Sequence, residues 1–396
     1  MARRSTRPVA KLLDFGHKMA RHELNPLRNT YANRALATAL ELPLRGLQDY
    51  EKQPYAVRGM VGGKEVVLES RVVHELPFAD LMGFGVENAD EKPKVLIAAA
   101  LSGHHATLLE DCIRGFARDF DPYITDWKDA RSVPIEAGAF GLDDYIAHLI
   151  ECLEVLGPGT HLVATCQAAP PAMVAAAVLA KRNPALVPAS LTLMAGPVDT
   201  RVSRNVLGKI TEMVPLKALC KANVHTVPPG YPGSGRRVYP GFFQLSGFIT
   251  MNPVPHVKKY ISFVKDSVSG DEDSTGFFRN FYNEYFAVLD MTEAFYVDTL
   301  KRIFYEHHLA TGQMTYEGEL VDFAAVKKMP LLTVEGGNDG FCPPGQTEAA
   351  HGIFANIPKA KRARHVQEGV GHYGVFSGSR FQSDIYPVIR DFIQRG

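Results

Sequence analysis

The stretch HLVATCQAAPPAMVAAAVLA, residues 161–180, decides the fold. HLVAT reads as a short apolar strand, Thr165-Cys166-Gln167 as a tight bend and PAMVAAAVLA as a helix. Pro170 and Pro171 fit a first helical turn, where a missing N–H costs no intrahelical bond. A strand, a sharp turn and a helix around a nucleophile make a nucleophile elbow. Small residues flank the reactive one because the turn is strained and the helix packs close to the strand. Here Ala164 and Ala168 stand where glycines are usual, and alanine is the next smallest side chain. A free cysteine is also commonly a small buried hydrophobe, so the elbow alone leaves two readings of Cys166 open.

Outward from this stretch the chain alternates strand and helix signals. KVLIAAAL (94–101) is a continuous apolar run, as in a strand buried on both faces of a parallel sheet. ATLLEDCIRGFARDF reads as helix, DPYITDW as a short strand, LDDYIAHLIECLEVL (142–156) as helix and SLTLMA (190–195) as strand. The rhythm breaks between about 197 and 325, a stretch rich in aromatics and poor in clear strands. It resumes with PLLTVEGGNDG (330–340), a helix at about 344–356, the strand ARHVQE, the loop GVGHYG and a final helix near 380–394. Upstream, KEVVLESRVVHELPFADLMGF alternates like an antiparallel pair. The pattern predicts an α/β protein with a mostly parallel, doubly wound sheet and an inserted cap or lid. The expected divisions are a helical N-terminal extension at 1–55, core at 56–198, cap at 199–325 and core again at 326–396. The extension is basic at its front, and LATALELPL (36–44) offers apolar positions that could dock on a neighbouring surface.

The composition excludes several classes. Lys+Arg and Asp+Glu balance at 43 each in 396 residues, so no long-range field favours nucleic acid or an anionic membrane. The five cysteines, at 112, 152, 166, 220 and 342, form no C-x-x-C pair, which points to free thiols in a reducing compartment and away from sulfur-bound metal. Charged residues interrupt the region where a signal peptide would need an apolar segment. No apolar window of spanning length occurs, so no transmembrane segment is expected. The expected location is the cytoplasm, and no cofactor or metal is implied.

Candidate partners for Cys166 lie downstream. In an α/β-hydrolase the triad runs nucleophile, acid, histidine along the chain. Asp339 follows the strand LLTVE in GGNDG, where loops leave the carboxyl ends of parallel strands and ligands gather. His372 lies in GVGHYG between the next strand and the last helix. Asp339 could instead be a turn residue and His372 a solvated loop histidine, but three such coincidences in the correct order favour a triad. Asp199, in GPVDT, is the reserve acid. An oxyanion hole would use the N–H of Gln167 and one from the LSGHHA loop, at Ser102 or Gly103. His104 and His105 read as helix-start residues or pocket wall, because no third ligand keeps a metal-like spacing. In GFFRNFYNEYF the residues Phe277, Phe278, Phe281, Tyr282, Tyr285 and Phe286 give one broad aromatic helix face. That face packs on the core or on a second copy of the chain as a homodimer, or else residues such as Phe277 and Phe281 bind an apolar polymer.

VATCQAAPP, SGHHATLL, LTLMAGPVDTR, EGGNDGFCPPGQTEAA and GVGHYGVFSGSRF together resemble the intracellular polyhydroxyalkanoate (polyhydroxybutyrate) depolymerases, over about residues 60–394. The first fifty residues lie outside the match. The resemblance implies an α/β-hydrolase acting on a polyester granule or hydroxyalkanoate oligomer, associated with storage granules. Cys166 would be the nucleophile, Asp339 the acid and His372 the base. Water, or coenzyme A as an alternative acyl acceptor, would release the acyl group. The rival readings are a polyhydroxyalkanoate synthase-like acyltransferase, which resembles it in using Cys, Asp and His, and a catalytically inactive granule-surface protein.

Overall fold

The computed structural model describes residues 2–47, 50–61, 64–85, 92–203, 205–251 and 253–395. Eight strands form the main sheet: β1 (Glu69–Glu75), β2 (Ala79–Gly85), β3 (Lys94–Ala98), β4 (Asp121–Trp127), β5 (His161–Thr165), β6 (Leu191–Met194), β7 (Leu331–Gly336) and β8 (Arg362–Gln367). They lie in the order β8-β7-β6-β5-β3-β4-β2-β1. β2 runs antiparallel to both β1 and β4, and every other pair is parallel. This is the mostly parallel sheet that the alternation predicts. Its middle strands are mostly apolar because helices cover both faces. β6 and β7 are buried along their whole length. Helix Leu142–Leu156 packs beside helix Ala169–Arg182, and Glu110–Phe116 packs beside Tyr386–Arg395, where the Phe116 and Tyr386 rings meet edge-on at 5.5 Å. At the exposed edge, β1 carries an irregularity between Val72 and His74, a device that discourages pairing with another chain.

The chain divides into two compact units, which cut across the expected cap at 199–325. The larger unit contains Pro54–Gln244 and Leu289–Gly396, and the smaller joins Met1–Gln53 to Leu245–Val288. Two expectations about local elements change. The helix anticipated at about 344–356 is only Ala350–Ile353. Pro343-Pro344 precedes it and Gly345 takes a left-handed φ of 96°. The N–H groups of Gly345, Thr347 and Glu348 donate instead to the buried carboxylate of Glu335. The KEVV segment pairs not with β2 but with Arg58–Val61 in a separate hairpin.

In the smaller unit the helices Ala2–Arg21, Tyr31–Leu47, Pro253–Ser269 and Glu272–Phe286 pack together. Ala37 and Leu44 of LATALELPL are buried there. The aromatic face of Glu272–Phe286 splits. Phe278, Tyr282 and Tyr285 are buried, and Phe278 stacks on Phe263 at 4.2 Å, while Phe277 remains 74% exposed. Phe281 stacks on Tyr285, with the Lys259 ammonium 3.8 Å from its ring centre. Buried Glu41 accepts a forked pair from Arg279 at 2.8 and 2.9 Å and a bond from Arg45 at 3.3 Å. Burial pushes the Glu41 carboxyl up, but the His17 and Arg279 hydrogen bonds and the Arg279 charge outweigh it and hold the group down to about 2.

Glu41→Gln strips the charge from a buried pair and leaves two guanidinium groups uncompensated. It should destabilise the fold by about 3 kcal/mol in denaturant unfolding. Because the folded carboxyl titrates below its unfolded value, this stabilisation is present above the ordinary carboxylate range and lost as pH falls toward about 2. The stability gap between wild type and Glu41→Gln should therefore close over that acid window, and a gap independent of pH would contradict the ion pair.

Candidate functional site

The elbow forms at the carboxyl end of β5. Cys166 adopts a left-handed backbone, φ 50°, which costs an L-residue about 1–2 kcal/mol and lifts its side chain out of the sheet. A single 3-10 turn, Cys166–Ala168, leads into helix Ala169–Arg182. The small residues have a measurable cause. A Cβ added at Gly196 would lie 2.1 Å from Ala169 Cβ and 3.0 Å from the Cys166 carbonyl oxygen. Gly196, just after β6, is held there by Thr347, whose hydroxyl accepts from the Gly196 N–H at 2.8 Å and donates to its carbonyl at 3.0 Å.

Asp339 and His372 come from the loops after β7 and β8. The His372 Nδ1–H donates to Asp339 Oδ2 at 2.7 Å. The other carboxylate oxygen accepts from the N–H groups of Phe341 and Cys342, both at 2.8 Å, so the acid cannot swing. The loops are also stitched together by Asn338 N–H to the Val370 carbonyl at 2.9 Å. His372 is buried, with Phe341 and Phe376 each 5.2 Å away between ring centres. Burial pulls its imidazole down. The Cys166 sulfur and the Asp339 carboxylate, by charge and by hydrogen bonding, outweigh that and raise it to about 10. Cys166 and Asp339 thus both act on the His372 imidazole.

Asp199, the reserve acid, is engaged elsewhere: Arg201 donates to both its oxygens at 2.9 Å. Gln167 follows Cys166 within the 3-10 turn. Ser102 and Gly103 lie on the loop after β3. Gly103 has φ 95° and its carbonyl accepts from Leu289 N–H at 2.8 Å. A Cβ there would press on the buried Gln244 side chain at 2.9 Å. His104 is buried, its ring edge-on to Tyr373 at 6.1 Å, which joins the β3 loop to the histidine loop. Phe277 and Phe281 belong to the smaller compact unit. Among the described residues no cluster of three or more His, Cys, Asp or Glu could hold a metal.

Several supporting residues escape a motif search. The Ala99 carbonyl, at the start of the β3 loop, accepts from Trp127 Nε1 at 2.7 Å and the Tyr145 hydroxyl at 2.6 Å, while its N–H donates to Thr125 Oγ1 at 2.9 Å. Burial raises the Tyr145 phenol well above its ordinary range, so it stays a donor. Glu335 carried a visible signal, a carboxylate ending an apolar strand. Burial pushes Cys152 up to about 12, and pushes Cys112 and Cys342 up as well.

Comparison with known proteins agrees with this fold. A curated relative, the poly(3-hydroxyalkanoate) polymerase subunit PhaC of Haloferax mediterranei, is 24% identical over 157 residues, 39% of this chain and 30% of that protein. The match thus spans under a third of that relative's length. Among solved structures, a point mutant of an epoxide hydrolase from Bacillus megaterium is similar with a TM-score of 0.50 and 14% identity, over 82% of this chain and 100% of that one. A soluble variant of monoglyceride lipase from Saccharomyces cerevisiae gives a TM-score of 0.49 at 10% identity, over 83% and 97%. The fold is that of the α/β hydrolases. A profile described as "PHB de-polymerase C-terminus" matches residues 195–396, the half of the chain that holds Asp339 and His372, and the chain belongs to that family.

Proposed function

We propose that this protein hydrolyses the ester bonds of intracellular polyhydroxyalkanoate, such as poly-3-hydroxybutyrate, through a Cys166-His372-Asp339 triad and an acyl-thioester intermediate. The observation that carries the reading is the strained Cys166 elbow coupled to the buried His372–Asp339 pair, in a chain of the depolymerase-related family. His372 takes the thiol proton, with Asp339 fixing its tautomer and stabilising the cation. The sulfur attacks the ester carbonyl, and the oxyanion accepts from the Gln167 amide and from the loop amide at Ser102 or Gly103. As the intermediate collapses, the C–O bond breaks and His372 gives its proton to the departing hydroxyl. Water then attacks the thioester with His372 as base, releasing the 3-hydroxy acid and restoring the thiol. Coenzyme A in place of water would give a new thioester instead.

The likeness to a polymerase subunit favours a second reading, acyl transfer to a growing polyester. One assay separates the two. Amorphous poly-3-hydroxybutyrate granules should yield 3-hydroxybutyrate or its oligomers with the wild type and none with Cys166→Ala. Polymer formed from 3-hydroxybutyryl-coenzyme A, with no granule hydrolysis, would establish the synthase reading. His372→Gln should be as inactive as Cys166→Ala, because such groups act as a unit. Asp339→Asn should lose roughly 10⁴-fold in kcat. A silent Asp339→Asn would remove Asp339 from the reaction.

The coupling can be read without turnover. Cys166→Ala removes contributions that raise the imidazole, so the His372 titration, followed by NMR, should move down from about 10. Asp339→Asn should move it down too, and with it the alkaline limb of kcat/KM on a small thioester. A His372 titration unchanged in Cys166→Ala would show that the sulfur and imidazole do not interact.

A further inference from the structure

The balanced composition hides a local asymmetry. Helix Ala2–Arg21 carries six of the chain's 43 Lys and Arg residues and only one acidic residue, Asp14. One side of this helix packs on the next, through Leu13, Gly16, His17 and buried Ala20. A Cβ at Gly16 would touch Leu40, and His17 Nε2 lies 3.5 Å from Glu41. A second side has no such cover. Leu12 is 72% exposed, Phe15 64% and Met19 54%, and these positions fall within about one-sixth of a turn on either side of Phe15 and Met19's shared line. Lys11 and Lys18 are exposed beside them. The same compact unit repeats the pattern on helix Pro253–Ser269, where Val254, Val257 and Ile261 are exposed at i, i+3 and i+7 with exposed Lys258 and Lys265 alongside.

We propose that this unit docks on an anionic phospholipid surface, with the Leu12-Phe15-Met19 stripe entering the acyl boundary and the flanking Lys11 and Lys18 meeting the headgroups. An exposed apolar stripe along two turns of a helix marks an interaction site. The choice of occupant follows from charge. An apolar face bordered by a strong cationic excess is the signature of a helix lying in a lipid interface, whereas a second copy of this chain would bring six more cations on the same helix against the first. Among the described residues no helix is long and apolar enough to cross a membrane, so the attachment is peripheral and reversible. It does not depend on the chemistry at Cys166.

The test is co-sedimentation of the full chain with vesicles of phosphatidylglycerol or of phosphatidylcholine. Wild type should bind the first and not the second, and binding should weaken with added salt. Lys11→Gln with Lys18→Gln should weaken it about 25-fold, at about fivefold per cation. Leu12→Asp with Phe15→Asp should abolish it while circular dichroism and turnover of a small thioester stay unchanged. No binding to phosphatidylglycerol, equal binding to both vesicle types, or full binding by the Leu12/Phe15 variant would each overturn the proposal. So would sedimentation velocity showing a wild-type dimer that this variant dissolves, which would assign the stripe to a second copy.

Discussion

Cys166 sits in a backbone region that costs an L-residue free energy, and the packing around it over-determines that conformation. Ala168 and Ala169 are completely buried, and Gly196 comes so close that no larger residue fits. Thr347 clamps the Gly196 peptide from both ends. Thr347 is itself fixed because its N–H donates to Glu335 at 2.8 Å. One carboxylate at the end of β7 thereby governs both the path of the Asp339 loop and the tightness of the elbow. Strain of this kind persists only where the surroundings leave no alternative.

The same economy of placement explains how Asp339 meets His372. Parallel strands end on one side of the sheet, so the loops after β3, β5, β7 and β8 converge there. Asp339 spends one oxygen on two backbone N–H groups and keeps the other for His372. A carboxylate that already accepts from fixed donors loses little entropy when it orients an imidazole. The aromatic walls from Phe341 and Phe376 exclude water from the ring, which strengthens every charge interaction inside. Burial alone would lower the His372 imidazole, and its Cys166 and Asp339 partners raise it instead.

Much of this was legible in the sequence. The strand-bend-helix at 161–180, the acid loop and the histidine loop were readable because each couples a local pattern to a fixed position in a parallel sheet. The polar clamps were not. Trp127 and Tyr145 converge on the Ala99 carbonyl from positions 28 and 46 residues away, and nothing local announces such a meeting. The helix expected at 344–356 failed for a related reason. Glu335, ten residues upstream, captures the N–H groups that a helix start would present, so a tertiary acceptor displaced an intrinsic preference.

The smaller unit extends the point from loops to whole segments. Its stability depends on Glu41 and Arg279, separated by 238 residues, and on Arg45 reaching Asn283 at 3.0 Å. No periodicity links such positions. A buried ion pair adds little net stability over an apolar pair of similar size, because desolvation offsets most of the attraction. It does penalise every misaligned packing in which one charge is buried alone. Glu41 at the centre of two guanidinium groups therefore fixes the register of helix Tyr31–Leu47 against helix Glu272–Phe286, while the aromatic stacking of Phe263, Phe278 and Tyr282 supplies apolar burial. Because the two halves of this unit lie at distant places in the chain, closing it carries the loop entropy of everything between them. The N-terminal helices can complete their packing only after residue 245 onward has been made.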